Sequence, residues 1–451
     1  MPPQIVMKFG GTSLADAQAM GRAADRVIAD GRQALVVVSA VGGVTDLLLE
    51  AASIAQGKED FGPILREIRK RHDGIVAAER LDARLVTELH EELGRLLTGI
   101  SMLRELSART EDALVSLGER ISVRLMAAML RKKGTQALGH DAWSLGMITK
   151  DRHGGAEPHR DCVASIARAL GTLEEGVTPV VTGFIGHSPE GEITNLGRGG
   201  SDYSAALFGA AAGVEEIQIW TDVPGILRAD PRIVDGAKVI PAIRFEEAAE
   251  LAYFGAKVLH PRTIEPARRK GIPVRVLGTF DGDSGDAEAA AGRGTRIDDE
   301  APIEPVRALA MHGGVQSLHI HSLRMLDAPG FLARVFEILS RHHISVDVIA
   351  TSEVSVSMTL DRHEGDLDAA VDEIAAFATV ERDADRTILC LVGSGLGVDT
   401  TLVARIFDVL ARSDVPLHVI SQGASQISIN LVTDPEHAPT AMRALHAELF
   451  E

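Results

Sequence analysis

Three glycine-rich segments in the first half of the chain place charged and hydroxyl side chains where an anion could be held. KFGGTS (Lys8–Ser13) sets Lys8 at the end of an apolar run, with Gly10 and Gly11 at the entry to a helix. Glycine lets backbone N–H groups come close to an anion, and a helix N-terminus adds a favourable dipole. SAVGGVTD (Ser39–Asp46) repeats the arrangement, with Ser39 before the glycines and Thr45 and Asp46 after them. NLGRGGSDYSA (Asn195–Ala205) puts Arg198 between glycines, then Ser201 and Asp202 at a helix start. One such segment alone reads as a tight turn with a capping side chain. Three in one stretch, two of them carrying a cation, point to anion handling. The P-loop pattern GxxxxGK[ST] is absent, which excludes that class of NTPase. GSGLG (Gly393–Gly397) has Val398 where a dinucleotide fingerprint needs its third glycine, so it reads as a structural turn.

The elements that must position these loops follow from periodicity. Residues 1–280 alternate β-branched runs with longer helical patterns, which predicts an α/β domain with a parallel-rich sheet and helices on both faces. Expected strands are Ile5–Lys8, Ala34–Ser39, Pro179–Ile185, Glu216–Trp220 and Pro273–Leu277, the last closing the sheet. A Leu-, Arg- and Glu-rich stretch from about Ile54 to Ala137 reads as a helical insertion forming one wall of a cleft. Residues 281–304 are acidic and Gly-rich, a linker by composition. Beyond it, Ala333–Leu360 and Ala404–Leu431 align without a gap, with pairs such as Val335/Ile406, Glu337/Asp408 and Val356/Ile427. Each copy reads helix, strand, turn, strand. With flanking elements this gives two βαββαβ modules, 305–385 and 386–451, a pair of domains and not a solenoid.

Composition limits the function. At roughly 150 residues per domain, the 451-residue chain has room for about three domains. Hydrophobic residues at 45 % and charged residues at 24 % exclude wholesale disorder. Sixty-four acids against 46 bases leave a net charge of −18, which argues against a nucleic-acid-backbone binder. Aromatics at 4 % argue against base-stacking platforms. Two cysteines, Cys162 and Cys390, make neither a disulfide framework nor a zinc site. No signal peptide and no membrane-length apolar run is visible, so a cytoplasmic protein without a membrane partner is expected.

The motifs KFGGTS, VVVSAVGGVTDLL, LVSLGERIS, TGFIG, LGRGGSDYSA, IWTDVPGI, ADPR and FGAKVLHP occur here in the order found in aspartate kinases. The chain therefore resembles these members of the amino-acid kinase fold family, which carry tandem C-terminal ACT domains. HSLRML, GFLARVFEIL and HHISVDVIATSEVSVSMTLD are most similar to the lysine-sensitive, single-function type. The resemblance implies transfer of the ATP γ-phosphoryl group to the side-chain carboxylate of L-aspartate. A carboxylate of pKa about 4 is already ionised at neutral pH, so no general base is needed. The difficulty is charge, and catalysis must come from positioning and cations around the phosphoryl group.

On this resemblance, Lys8 with Gly10 and Gly11 would cradle the phosphates, and Asp202 would orient Lys8. Arg198 would grip the substrate α-carboxylate through its planar fork. Glu119 would pair with the α-ammonium, while Ser39, Thr45 and Ser201 would contribute substrate contacts. Thr221, Asp222, Arg232 and Lys257 would hold the nucleotide, with Mg²⁺ bound mainly through its phosphates. Alternative roles exist: Arg198 paired with Asp202, Glu119 as an acid at a helix start, Ser39 and Thr45 as caps, Asp222 as a turn cap, Arg232 as a surface side chain. Leu227 stands where relatives often carry an aromatic, and Asn195 where they carry a small hydroxyl residue.

The same resemblance places a lysine site at Met325, Gly330, Phe331, Leu332, Ser345, Val346, Asp347, Thr351, Ser352 and Glu353. Asp347 and Glu353 suit ammonium groups, and Gly330–Leu332 offers N–H groups at a helix start. In the second copy these acids align with His418 and Ala424, so one effector site per chain is expected. ACT modules pair side by side, implying a homodimer or a dimer of dimers. Another amino-acid kinase, or a catalytically silent amino-acid sensor, are the competing readings. Glu119 and the regulatory modules argue against an acylated substrate; Lys8, Arg198 and Asp202 argue against a silent sensor.

Overall fold

The computed structural model describes residues 3–255, 261–281, 294–325, 329–361, 365–397, 399–423 and 425–451. They divide into two compact units, the first built mainly from residues up to Ile226 and the second mainly from Pro302 onward. Residues 227–240 and the described residues from Glu246 to Gly255 belong to the second unit, although they precede position 280.

The first unit is built on an eight-stranded sheet. Its order is Ala137–His140, Thr178–Thr182, Ala34–Val38, Ile5–Phe9, Glu216–Thr221, Val274–Gly278, Thr295–Ile297, Ala242–Ile243. The first six strands run parallel. Ile5–Phe9 and Ala34–Val38 are buried at every position, as expected of strands covered on both faces. Val274–Gly278 does not close the sheet. Thr295–Ile297, from within the expected linker, pairs antiparallel with it, and Ala242–Ile243 lies beyond. Thr295 and Ile297 are wholly buried, so tertiary packing makes this short strand where local composition reads as a linker. The expected strand Pro179–Ile185 divides into Thr178–Thr182 and Ile185–His187, which forms a two-stranded ribbon with Ile193–Asn195.

The helical insertion consists of Val44–Gln56, Gly62–Glu79, Arg84–Leu103 and Ala108–Lys132. The last packs against the strands Ala34–Val38, Ala137–His140 and Thr178–Thr182. Ser107 caps its start by accepting from Thr110 N. Gly118 lets this helix approach the second glycine loop, because a Cβ there would sit 2.8 Å from Cβ of Ala40.

The second unit carries a six-stranded antiparallel sheet ordered Val346–Thr351, Ser355–Asp361, Ala308–His321, Thr379–Val392, Ser428–Thr433, Val419–Gln422. Two long strands serve both modules. Val315–His321 pairs with Ser355–Asp361, whereas Ala308–Gly313 pairs with Thr387–Val392. The second module thus takes its fourth strand from Ala308–Gly313, the first half of a strand whose second half serves the first module. Helices Phe331–Arg341 and Leu367–Ala375 cover one hydrophobic cluster, and Thr400–Arg412 and Ala438–Phe450 another. Among the described residues, no helix is long and apolar enough to cross a membrane.

Candidate active site

Lys8 lies in the central strand of the sheet, in register with Val37 on one side and Ile219 on the other. A buried ammonium is costly unless paired. Its partner is Asp202: Nζ lies 2.6 Å from Oδ1, and both side chains are nearly buried. Asp202 stands in the first turn of helix Gly200–Ala212, whose N-cap, Gly199, has φ +72°. Arg198 is exposed and has no carboxylate partner among the described residues, so the Arg198–Asp202 pairing is not formed.

The loops pack so closely that a side chain on Gly11 or Gly42 would crowd the backbone of the other loop. A Cβ on Gly11 would come 3.2 Å from the Ala40 carbonyl, and one on Gly42 3.0 Å from that of Gly11. Gly10 N donates to Trp220 O at 3.1 Å, drawing the end of strand Glu216–Thr221 toward the first loop. Gly43, with φ +71°, opens helix Val44–Gln56, placing Thr45 and Asp46 in its first turn. Arg71 of the helical insertion donates to Gly42 O at 2.6 Å and so ties that insertion to the loop.

Glu119 lies in the middle of helix Ala108–Lys132, which removes the helix-start alternative. Its Oε1 accepts from Ala40 N at 3.1 Å. Oε2 is buried without a hydrogen-bond partner among the described residues. Burial pushes its carboxyl up to about 8, opposed by the Ala40 N–H.

Lys8, Gly11, Ser39, Thr45, Glu119, Arg198, Ser201 and Asp202 line one cavity of about 500 Å³. Arg198 and Lys8 supply positive charge; of the acids that line the cavity, Asp202 is paired with Lys8, while Glu119 has a buried oxygen without a hydrogen-bond partner among the described residues. That suits a ligand carrying both anionic groups and a cation. Ala40, Phe184 and Asn195 also line it and were missed from sequence. Phe184 has φ +68°, a conformation rare for a bulky residue, but no side-chain pattern announces it.

The expected nucleotide residues are distributed differently. Thr221 ends strand Glu216–Thr221, and its hydroxyl donates to Asp222 Oδ1 at 3.0 Å. Arg232 belongs to the second unit, where it is exposed and held by Asp230 at 2.6 Å. Leu227 is also in that unit. Lys257 lies outside the described residues, as does Ala424.

Among the expected effector residues, Met325, Phe331, Leu332 and Val346 pack against one hydrophobic cluster. Gly330, with φ +92°, caps helix Phe331–Arg341. Ser345 precedes the edge strand Val346–Thr351, which carries Asp347. Ser352 and Glu353 occupy the following turn, where the Ser352 hydroxyl lies 2.7 Å from that of Ser355. Tyr253 donates its phenol to Asp347 Oδ1 at 2.5 Å.

Comparison with known proteins gives these features a family. Residues 3–278 match the amino acid kinase family, and 320–376 and 389–449 match ACT domains. The chain is 42 % identical to the lysine-sensitive aspartokinase 3 of Escherichia coli, over 99 % of each chain. The structure of E. coli aspartokinase III with aspartate and ADP superposes with a TM-score of 0.84 at 38 % identity, covering 99 % of this chain and 100 % of that one. The same enzyme with lysine and aspartate gives 0.78 at 40 % identity, covering 99 % of each. A family model spanning most of the first 280 residues and a relative matched along nearly its full length agree: the chain is a kinase of the amino acid kinase family and belongs to its aspartokinases.

Proposed function

We propose that this chain transfers the γ-phosphoryl group of ATP to the side-chain carboxylate of L-aspartate, giving 4-phospho-L-aspartate, as the first step toward lysine, threonine and methionine. The observation that carries it is the cavity in which the Lys8–Asp202 pair stands with Arg198 and Glu119. Arg198 holds the α-carboxylate and Glu119 the α-ammonium. Ser39, Thr45 and Ser201 fix the remainder, leaving the side-chain carboxylate to meet the phosphoryl group. Lys8, held in place by Asp202, neutralises charge as that group passes between two anions. The N–H groups around Gly10 and Gly11 cradle the phosphates, and Thr221 and Asp222, at the end of strand Glu216–Thr221, help to hold the nucleotide.

ATP enters with Mg²⁺ on its phosphates, the form in which this ion keeps most of its waters. Among the described residues, no group of three or more His, Cys, Asp or Glu side chains is placed to hold a metal.

Lysine acts as the feedback effector at the first ACT module, its ammonium groups at Asp347 and Glu353 and its carboxylate at the Gly330–Leu332 helix start. It stabilises one arrangement of the paired modules, in a homodimer or a dimer of dimers. Both cysteines are buried free thiols, consistent with a reducing, cytoplasmic setting. The test is ATP-dependent acyl-phosphate formation, trapped as the hydroxamate, with aspartate and Mg²⁺, with and without lysine. Activity suppressed by lysine supports both parts. Activity indifferent to lysine removes the effector, and no product with aspartate removes the substrate.

A further inference from the structure

We infer that Asn195 and Asp112 are positioning residues that set the reach of Arg198 into the cavity. Asp112, near the start of helix Ala108–Lys132, is wholly buried. A buried carboxylate needs donors, and three sources converge on it. They are His153 Nδ1 at 2.8 Å, Gly154 N at 3.3 Å, and the side-chain amide of Asn195. Asn195 is itself nearly buried and works on two sides. Its Nδ2 donates to Asp112 while its Oδ1 accepts from Gly197 N at 2.8 Å. Its main-chain carbonyl accepts from Ala156 N at 2.6 Å.

The second contact falls on the turn that presents the arginine. Gly197 and Gly199 have φ of +73° and +72°, with Arg198 between them. Arg198 is exposed and no carboxylate among the described residues holds its guanidinium, so its place is set by the backbone beneath it. A Cβ on Gly197 would lie 3.3 Å from Cα of Gly155, so the His153–Ala156 segment also braces that turn. The chain from Asp112 through Asn195 to Gly197 is therefore one polar clamp with its free end under Arg198.

This rests on Arg198 gripping the substrate α-carboxylate. The experiment measures KM for aspartate, KM for ATP and kcat in Arg198→Ala, Asn195→Ala, their double variant, and the exchanged pair Asp112→Asn with Asn195→Asp. Asn195→Ala should raise KM for aspartate about tenfold, with KM for ATP changed less than about twofold, the size expected of one lost hydrogen bond near a charged group. In the Arg198→Ala background it should add less than about twofold, because it acts through that side chain. The exchanged pair keeps an amide-to-carboxylate bond and an acceptor for Gly197 N, and should return KM to within about threefold of the parent. Fully additive effects, or equal rises in both KM values with no rescue by the exchange, overturn the inference. If Arg198→Ala raises KM for aspartate but Asn195→Ala does not, the positioning role alone fails. If Arg198→Ala leaves that KM unchanged, the carboxylate reading fails and takes this inference with it.

Discussion

The ammonium of Lys8 and the carboxylate of Asp202 stand 2.6 Å apart, one on the central strand and the other in the first helical turn after the third glycine loop. The pair joins two segments nearly two hundred residues apart and leaves the lysine facing the cavity. Lys8→Ala should lower kcat by at least about a hundredfold, as expected for loss of a charge that acts on the transition state. Asp202→Asn keeps the shape but loosens the lysine, and a smaller fall in kcat is expected. Steady-state kinetics of both variants, with lysine binding followed by calorimetry as a folding control, decides this. Unchanged turnover in Lys8→Ala would remove the lysine from the chemistry.

Glu119 should make aspartate binding release a proton. Burial raises its carboxyl to about 8, above the ordinary 4.5, so at pH 7 the empty site holds it mostly protonated. An ammonium beside Oε2 favours the ionised form and lowers that value. Titration calorimetry at pH 7 in buffers of different ionisation enthalpy should report release approaching one proton. Glu119→Gln should release none and bind aspartate more weakly. Equal apparent enthalpies in all buffers for the parent would show that the carboxyl does not change state.

His72 makes the helical insertion acid-sensitive. It is wholly buried, stacked on His90 with Nδ1 3.1 Å from Nε2 of that residue. Burial, then the His90 and Arg71 charges, lowers it from 6.5 to about 3. The unfolded chain takes up a proton below about pH 6.5 that the folded chain refuses, so stability falls as pH drops and the loss ends near the folded value. At pH 5 this one group costs about 2 kcal/mol relative to neutral pH. His72→Leu should flatten the melting temperature between pH 7.5 and 5, and a slope equal to the parent's would count against this account.

What was legible in the sequence is what local chemistry dictates. Lys8, Gly10 and Gly11 stand out because a lysine ending a buried strand and paired glycines at a helix entry have few other uses. The strand Thr295–Ile297 was hidden because three residues among glycines and acids carry no periodicity. Its place comes from the partner Val274–Gly278. The βαββαβ repeat does not tell where the second ACT module finds its fourth strand. Strand Ala308–His321 is long enough to serve both modules, and only pairing reveals that. Asn195 showed as a departure from its relatives, yet its bond to Asp112 spans 83 positions, beyond any local pattern.

The bond from Tyr253 to Asp347 gives the effector site proposed above a competitor inside the chain. Tyr253 ends helix Phe245–Tyr253, and its phenol donates to Oδ1 at 2.5 Å. Other residues of the second unit hold nearby groups of that helix: Glu247 accepts from Arg307 Nε at 3.2 Å and from Ser394 Oγ at 2.6 Å, and Glu250 accepts from Ser428 at 3.0 Å. If a lysine ammonium uses Asp347, it must share or displace the phenol, and that exchange reduces net affinity. Tyr253→Phe removes the competing donor and keeps the ring, so lysine should bind about three- to tenfold more tightly, the size of one hydrogen bond to a charged acceptor. Asp347→Asn should weaken lysine binding and abolish the difference between Tyr and Phe at position 253. Calorimetric lysine affinities for the four proteins form a double-mutant cycle. Additive effects of the two substitutions would show that lysine and the phenol do not meet at this carboxylate.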